Sequence, residues 1–376
     1  MTLPPSLKLR QLRQISPSLC GKLDGCILSL ALDAGKNEPL LPSNGRALLG
    51  EISHKLLELA SKKALGEEFS YEALGKKWDE LVARKEEALN RSNLDSRFVP
   101  LDGIRDYASI KRHTCKQALG VASWFAPQHD SQVSARFGAE VVVQISREIE
   151  VKGRIDWVGI VDDEVVIRDF KTGRFVDDDG TVIADYQGQL LIYAAIYAEQ
   201  FGLWPTTLQI VPLAAPVVEI PYTRDQAAAA LQSAVDKAVT QNGKIQESAN
   251  QPLLLATPTS EICEYCAWKP ACPAYWSDHS ARRPGDLEGT IDSIESGAFD
   301  TKTWRIEELD GSISTIRYLT ESMTSSSPYS TGDRVRILGA IQEREQEHQF
   351  RGGPQFVACK VEVGVNDIAF KLDLAG

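Results

Sequence analysis

The sequence predicts a mixed α/β unit over residues 1–284 followed by a small all-β unit over residues 285–376. Three observations predict it. The runs EVVVQISREIEV, KGRIDWVGIV and EVVIRDF, between Glu140 and Phe170, are rich in β-branched residues and short enough to be strands. Apolar residues recur at helical spacing on both sides of them. Beyond Arg283, Pro284 and Gly285 the pattern becomes short strands and turns with no good helix.

Composition bounds the function. With 43% hydrophobic and 25% charged residues the 376-residue chain is an ordinary globular one, which excludes wholesale disorder and fibrous classes. No apolar run approaches the roughly 20 residues needed to cross a bilayer, and the opening MTLPPSLKLRQLRQ lacks the apolar core of a secretory signal, so a cytoplasmic location without membrane partners is expected. Forty-one Lys and Arg against 52 Asp and Glu leave a net charge of −11. That balance argues against indiscriminate binding to nucleic acid, so any such site must be local.

The elements follow in order. From Gly45 to Lys63, Leu48, Leu49, Ile52, Leu56, Leu57 and Leu59 mark a helix, and Lys76 to Asn90 reads as a second, more charged one. The segment Ile104 to Lys116 is locally basic. Three consecutive antiparallel strands are the simplest reading of residues 140–170, with Asp162 and Asp163 as a tight turn. Ala184 to Phe201 is then a helix, LQIVPL a strand, and Thr223 to about Gln241 an alanine-rich helix. In the last unit TWRIEEL, STIRYL, DRVRILGAI and FVACKVEV are strands, and SMTSSSPYSTGD is a loop.

If Asp162 and Asp163 form the turn, Val161 pairs with Glu164 and Asp156 lies opposite Asp169 on one sheet face. Lys171 shares that face, because strand side chains alternate. The rest of the face is Val158, Ile160, Val165 and Ile167, a core surface. Two carboxylates and an ammonium at the edge of such a face are costly without a counter-ion, and a hard divalent cation supplies one. The plainer alternative is a pair of solvent-facing aspartates with Lys171 bound to one of them.

Three cysteines, Cys263, Cys266 and Cys272, stand at metal-ligand spacing, and a four-coordinate site needs a fourth from Cys20, Cys26, Cys115 or Cys359. Zinc and an iron–sulfur cluster both suit thiolates, and unligated reduced cysteines are the plainest alternative.

These motifs resemble the RecB-like branch of the PD-(D/E)xK nuclease superfamily. The carriers are Gly153-Arg154-Ile155-Asp156, Asp169-Phe170-Lys171-Thr172-Gly173, a G-x-x-x-H helix at Gly50 and His54, and a Q-x-x-x-Y helix at Gln189 and Tyr193. The resemblance covers roughly residues 10 to 280 and implies a restriction-endonuclease-like core with a central mixed sheet flanked by helices. It implies that Asp156, Asp169 and His54 bind Mg²⁺ or Mn²⁺, that Lys171 orients the attacking water, and that Gln189 and Tyr193 hold the lysine or a phosphate. In iron–sulfur members, including CRISPR-associated exonucleases and AddB-type subunits, an N-terminal cysteine after an S-x-S segment joins three later ones. That implies a 4Fe-4S cluster on Cys26, Cys263, Cys266 and Cys272, clasping both ends of the unit, although a Cys-Pro is frequent where this chain has Cys26-Ile27.

The expected function is a metal-dependent deoxyribonuclease, an exonuclease on single-stranded DNA or DNA ends, with a helicase or a repair or defence protein as the expected kind of partner. Its rivals are a nuclease-like scaffold that binds without cutting and a cluster-sensing DNA-binding regulator. The C-terminal unit, through Gly332 to Gly339, resembles the strand entry of an OB-like barrel. Trp304, Tyr318, Phe350 and Phe356 are its stacking candidates, unless they fill the barrel core, and Arg334, Arg336 and Arg351 are its candidate phosphate contacts. With 9 Lys and Arg against 16 Asp and Glu, a net of −7, this unit is expected to touch single-stranded DNA through one restricted face only, the alternative being a module that only docks a protein partner.

Overall fold

The computed structural model describes residues 3–62, 69–92, 94–123, 137–162, 164–320, 323, 329–343, 348–353 and 355–361. The chain opens with strand β1 (Gln14–Ile15) and helices α1 (Ile27–Ala34), α2 (Gly45–Ser61), α3 (Tyr71–Leu89) and α4 (Tyr107–Ser123). The Asn44 side chain caps α2 by accepting from the Arg46 amide, and Leu48, Leu49, Ile52, Leu56 and Leu57 bury the inner face. Helix α3 begins five residues before its expected start because Ser70 caps it. Helix α4 was not anticipated, since the basic residues of Ile104 to Lys116 mask its periodicity.

Strands β2 (Gly138–Ser146), β3 (Glu150–Val161) and β4 (Glu164–Lys171) form the expected antiparallel trio. The run EVVVQISREIEV is not one strand, however: the chain reverses over 147–149, a turn made without Gly, Pro or Asn. Helix α5 (Ala184–Phe201) ends at Gly202, whose φ of 70° suits glycine. Strands β5 (Thr207–Pro212) and β6 (Val218–Glu219) follow, and then α6 (Arg224–Glu247), opened by a capping box between Thr223 and Gln226 and longer than expected. Short helices α7 (Ser260–Cys263) and α8 (Pro273–Ser277) flank the cysteine segment.

The first sheet runs β1-β3-β4-β5-β6, with β2 on the other edge of β3. Val158, Val165, Ile167 and Ile210 pack against α5 and α6, whereas Trp157, Val166, Phe170 and Val211 pack against α2, α3 and α4. Both faces of β4 are therefore buried, as expected of a central strand. Strand β1 pairs with Glu150 and Val151, and β4 pairs only with Trp157 to Val161. Both lie on the edge of β3 away from β2, so residues 152–156 have no strand neighbour on that side.

Strands β7 (Leu287–Ser296), β8 (Lys302–Glu308), β9 (Ile313–Leu319), β10 (Arg334–Leu338), β11 (Ile341–Gln342), β12 (Gln349–Arg351) and β13 (Val357–Lys360) form a second sheet in the order β11-β12-β9-β8-β7-β10-β13. One core, including Trp304, Ile316, Val335, Phe350 and Phe356, collects side chains from all parts of it. Arg351 and Val357, near its two ends, are only six residues apart, a reach of at most about 21 Å, which rolls the sheet around that core. Among the described residues no strand pair closes it into a barrel, and the loop expected at SMTSSSPYSTGD falls mostly outside them. Three of the four expected stacking aromatics, Trp304, Phe350 and Phe356, are core residues, and only Tyr318 is exposed. Arg336 is wholly buried beside Glu288 and over Trp276, so it is not placed to meet a phosphate.

The rolled sheet is docked on the rest of the chain by buried polar contacts. Lys269 Nζ and Tyr275 Oη reach Asp286 Oδ2 at 3.0 and 2.6 Å, and the Gly339 amide donates to Asp286 Oδ1 at 2.9 Å. Arg336 donates to the Pro270 carbonyl at 3.0 Å, and Arg97 to the Phe356 carbonyl.

Candidate active site

The gap along β3 is where the motif residues meet. Register carries Trp157 opposite Arg168 and Val161 opposite Glu164, as the two-residue turn requires; Asp163 itself lies outside the described residues. One step further, where Asp156 would pair with Asp169, the ladder stops. Asp156 Oδ2 instead accepts the Phe170 amide at 2.7 Å, so its carboxylate replaces a backbone partner. Ile155 and Trp157 pack on opposite sheet faces although they are two residues apart, so the pleat slips at Asp156. That slip turns Asp156 into the opening between β3 and β4.

Asp169 is 5% exposed and faces helix α5. Its Oδ2 lies 2.6 Å from Lys171 Nζ, and its Oδ1 accepts from Gln189 Nε2 at 3.1 Å. Gln189 Oε1 in turn accepts from Lys171 at 3.2 Å, closing a three-residue ring of contacts. Lys171 also sits 4.2 Å over the Tyr186 ring, a cation–π contact that fixes its stem. Burial pushes the Asp169 carboxyl above its ordinary value and the Asp156 charge adds to this, against the opposing pull of Lys171 and His54.

Helix α5 holds the pair from one side through the i, i+4 spacing of Gln189 and Tyr193. Tyr193 donates to the Arg154 carbonyl at 2.8 Å, satisfying an acceptor that the gap leaves without a strand partner. Burial, and then the charges of Asp169 and Asp156, raise its phenol pKa far above the usual tyrosine value. Gly153 permits this approach, since a Cβ there would stand 2.7 Å from Tyr193 Cε1 and 2.8 Å from Pro17 Cδ.

Helix α2 closes the other side. A Cβ on Gly50 would meet Thr172 Oγ1 at 2.8 Å, so glycine lets α2 lie against the end of β4. One turn on, His54 Nδ1 lies 3.5 Å from Asp156 Oδ2. Burial opposes a charged imidazole there, but the hydrogen bond and charge of Asp156, with the charge of Asp169, outweigh it and raise the His54 pKa.

Two further acids escaped the sequence reading. Glu140 precedes Val141, which pairs with Ile155, and this places it beside Asp156 on the β2 side with a left-handed φ of 57°. It accepts from Arg154 at 3.1 Å. Burial raises its pKa, Arg154 lowers it, and Asp156 and Glu58 raise it again. Glu58 is four residues after His54 and lines the same cleft of about 470 Å³ with Glu140, Gly50 and Thr172. The His54/Glu58 spacing was available in the sequence, whereas Glu140 required the register set by the unmarked turn at 147–149.

The donor chemistry suits a hard divalent ion: two carboxylates and an imidazole face one opening, with Lys171 as their counter-charge. Among the described residues, no three His, Cys, Asp or Glu side chains are drawn together as tightly as a metal's ligands. The same holds for the thiols. Cys26, Cys263, Cys266 and Cys272 come from opposite ends of the unit to one region, where burial first, and then one another's charge, push Cys266 up to about 11 and Cys272 up to about 12. Cys263 is raised by burial and by Cys26 in the same way. Cys20 stands apart with its Sγ on the Ser16 carbonyl, Cys115 is buried in the helical core, and Cys359 bonds the Arg336 carbonyl.

Residues 14–273 match the family model of the PD-(D/E)XK nuclease superfamily, a span that runs from β1 to the last of the clustered cysteines. No curated protein matches the chain.

Proposed function

The chain belongs to the PD-(D/E)XK nuclease superfamily, and on that premise we propose that it is a metal-dependent deoxyribonuclease, an exonuclease on single-stranded DNA or DNA ends. The observation that carries the reading is the Asp169–Lys171–Gln189 ring beside Asp156 at the β3–β4 opening. Members of this superfamily typically use Mg²⁺ or Mn²⁺. Asp156, Asp169 and His54 would hold the ion, which when bound lowers the pKa of water and stabilises charge on the phosphorus. Lys171, held by Gln189, orients the water and screens the approach of an anionic phosphodiester to two carboxylates. Tyr193 and Gln189 fix the strand gap in which these groups stand.

A four-cysteine 4Fe-4S cluster on Cys26, Cys263, Cys266 and Cys272 belongs to the same proposal. It is supported by the convergence of these thiols and by the separate location of Cys20. Zinc on the same ligands is the alternative, and anaerobic metal analysis separates the two. We also read residues 1–284 as the catalytic part and residues 285–376 as an OB-like, substrate-handling part. A scaffold that binds without cutting is disfavoured because Asp156, Asp169 and Lys171 are all present. The test is anaerobic digestion of end-labelled single- and double-stranded DNA with Mg²⁺ or Mn²⁺. Release of mononucleotides or short oligonucleotides from one end supports the reading; internal cuts alone would exclude an exonuclease.

A further inference from the structure

We propose that the outer face of the rolled sheet is a single-stranded DNA track that feeds the candidate active site. This rests on the nuclease reading for its destination, but not for its binding chemistry.

Three arginines define the track. Trp304, Ile306, Ile316 and Phe350 point into the core of the rolled sheet, so the residues alternating with them point outward. Arg305 on β8, Arg317 on β9 and Arg351 on β12 are such residues, and all three are exposed. Arg317 and Arg351 are direct partners in the parallel β9–β12 pair. Like charges directly opposed across two strands repel, which is a feature with no structural benefit. Arg351 has no ion pair among the described residues, while Arg305 and Arg317 have only loose, exposed ones, at 3.5 Å to Asp292 and 3.6 Å to Glu343. Such pairs yield readily to a phosphodiester backbone. Against these three arginines stand Glu307, which alternates outward on β8, and the ion-pair partners Asp292 and Glu343, so the local balance is 3 − 3, or 0, in a unit whose total is −7. Tyr318, beside Arg317, is 59% exposed and offers a ring to a base.

The row continues toward the catalytic cleft. Arg351 pairs with Ile341 on β11, and Ile341 lines a cavity of about 440 Å³ between the rolled sheet, the cysteine segment and the start of α2. Tyr265, 75% exposed, and Arg283 also line it, as do Ser43 and Asn44. Asn44 caps α2, and His54 lies ten residues further, about 15 Å along the helix. Cations and exposed aromatic rings on the side of the rolled sheet that leads to the start of α2 are what a single strand with accessible bases requires, and a duplex, whose bases are stacked inward, cannot use the rings.

The test measures binding of fluorescein-labelled dT30 and dT6 to the full chain in Ca²⁺ at about 50 and 200 mM salt, with cleavage of both in Mg²⁺. Replacing Arg305, Arg317 and Arg351 together by Ala should weaken dT30 binding more than tenfold and flatten its salt slope by about 2, since each phosphate contact on a single strand contributes about 0.7. Tyr265→Ala should weaken dT30 severalfold without changing the slope, and Arg351→Lys should keep the slope. Cleavage of dT6, which fills only the catalytic end, should stay within twofold in the triple variant. Unchanged dT30 affinity and slope, or an equal loss for dT6, would overturn the track. If dT30 binding depends on the arginines while neither oligonucleotide is cut, the track stands and the nuclease reading fails.

Discussion

Gln189 shows how one side chain sets the state of two others. Its amide holds Lys171 with the oxygen and Asp169 with the nitrogen, so neither charged group can leave the opening alone. Gln189→Ala is expected to lower kcat by about 10- to 100-fold with little change in KM, as positioning is lost while the substrate contacts persist; steady-state kinetics reads the split. Gly153→Ala tests the packing beneath. Its methyl group meets a ring and a proline that are both fixed, so a loss of about 1–3 kcal/mol in urea unfolding is expected. Asp169 and Lys171 were legible because a two-residue turn fixes strand register by arithmetic, which holds as far as the Trp157–Arg168 pair and not to the expected Asp156–Asp169 pair. The replacement of a backbone partner by the Asp156 carboxylate was not, because it depends on β4 leaving β3 at that residue. Glu140 was hidden for a related reason, as its place depends on a turn with no sequence marker.

At the scale of elements, the cysteine segment joins both halves of the molecule. Cys26, at the start of α1, meets cysteines more than 230 positions later, so ligation there would close a loop that packing alone closes poorly. Anaerobically purified protein is expected to be brown, with absorption near about 400 nm that both Cys26→Ala and Cys266→Ala abolish, together with a lower melting temperature. Stoichiometric zinc without iron or sulfide would contradict this. Between the cysteines, Lys269 enters a buried ion pair with Asp286, and Lys269→Met strands that carboxylate in the interior. A loss of about 3–5 kcal/mol is expected by chemical denaturation. Helices α2 and α5 were legible from their apolar stripes, and α5 to the residue. Helix α4 was not, because a helix that buries only a narrow strip can be polar over most of its length.

Across the whole molecule, the nuclease core and the rolled sheet divide the work of catalysis and substrate delivery in the function proposed above. The polar contacts of Asp286, Arg336 and Arg97 fix one against the other, and none of them is visible in periodicity or composition. Trp304, Phe350 and Phe356 fill a core with Leu287, Ile291, Ile306 and Ile337 instead of stacking bases, because burying a large ring stabilises a small rolled sheet more than exposing it. In that function Asp156, Asp169 and Lys171 cut phosphodiester bonds with a divalent ion. The most direct measurement compares cleavage of end-labelled single-stranded DNA by wild type, Asp169→Ala and Lys171→Ala in Mg²⁺, in Mn²⁺ and in EDTA, with binding to the same DNA and far-UV circular dichroism as controls. Metal-dependent cleavage by wild type, lost at least a thousandfold in both variants while fold and DNA binding persist, is the expected result. Wild-type-like cleavage by either variant, or cleavage that continues in EDTA, would contradict it.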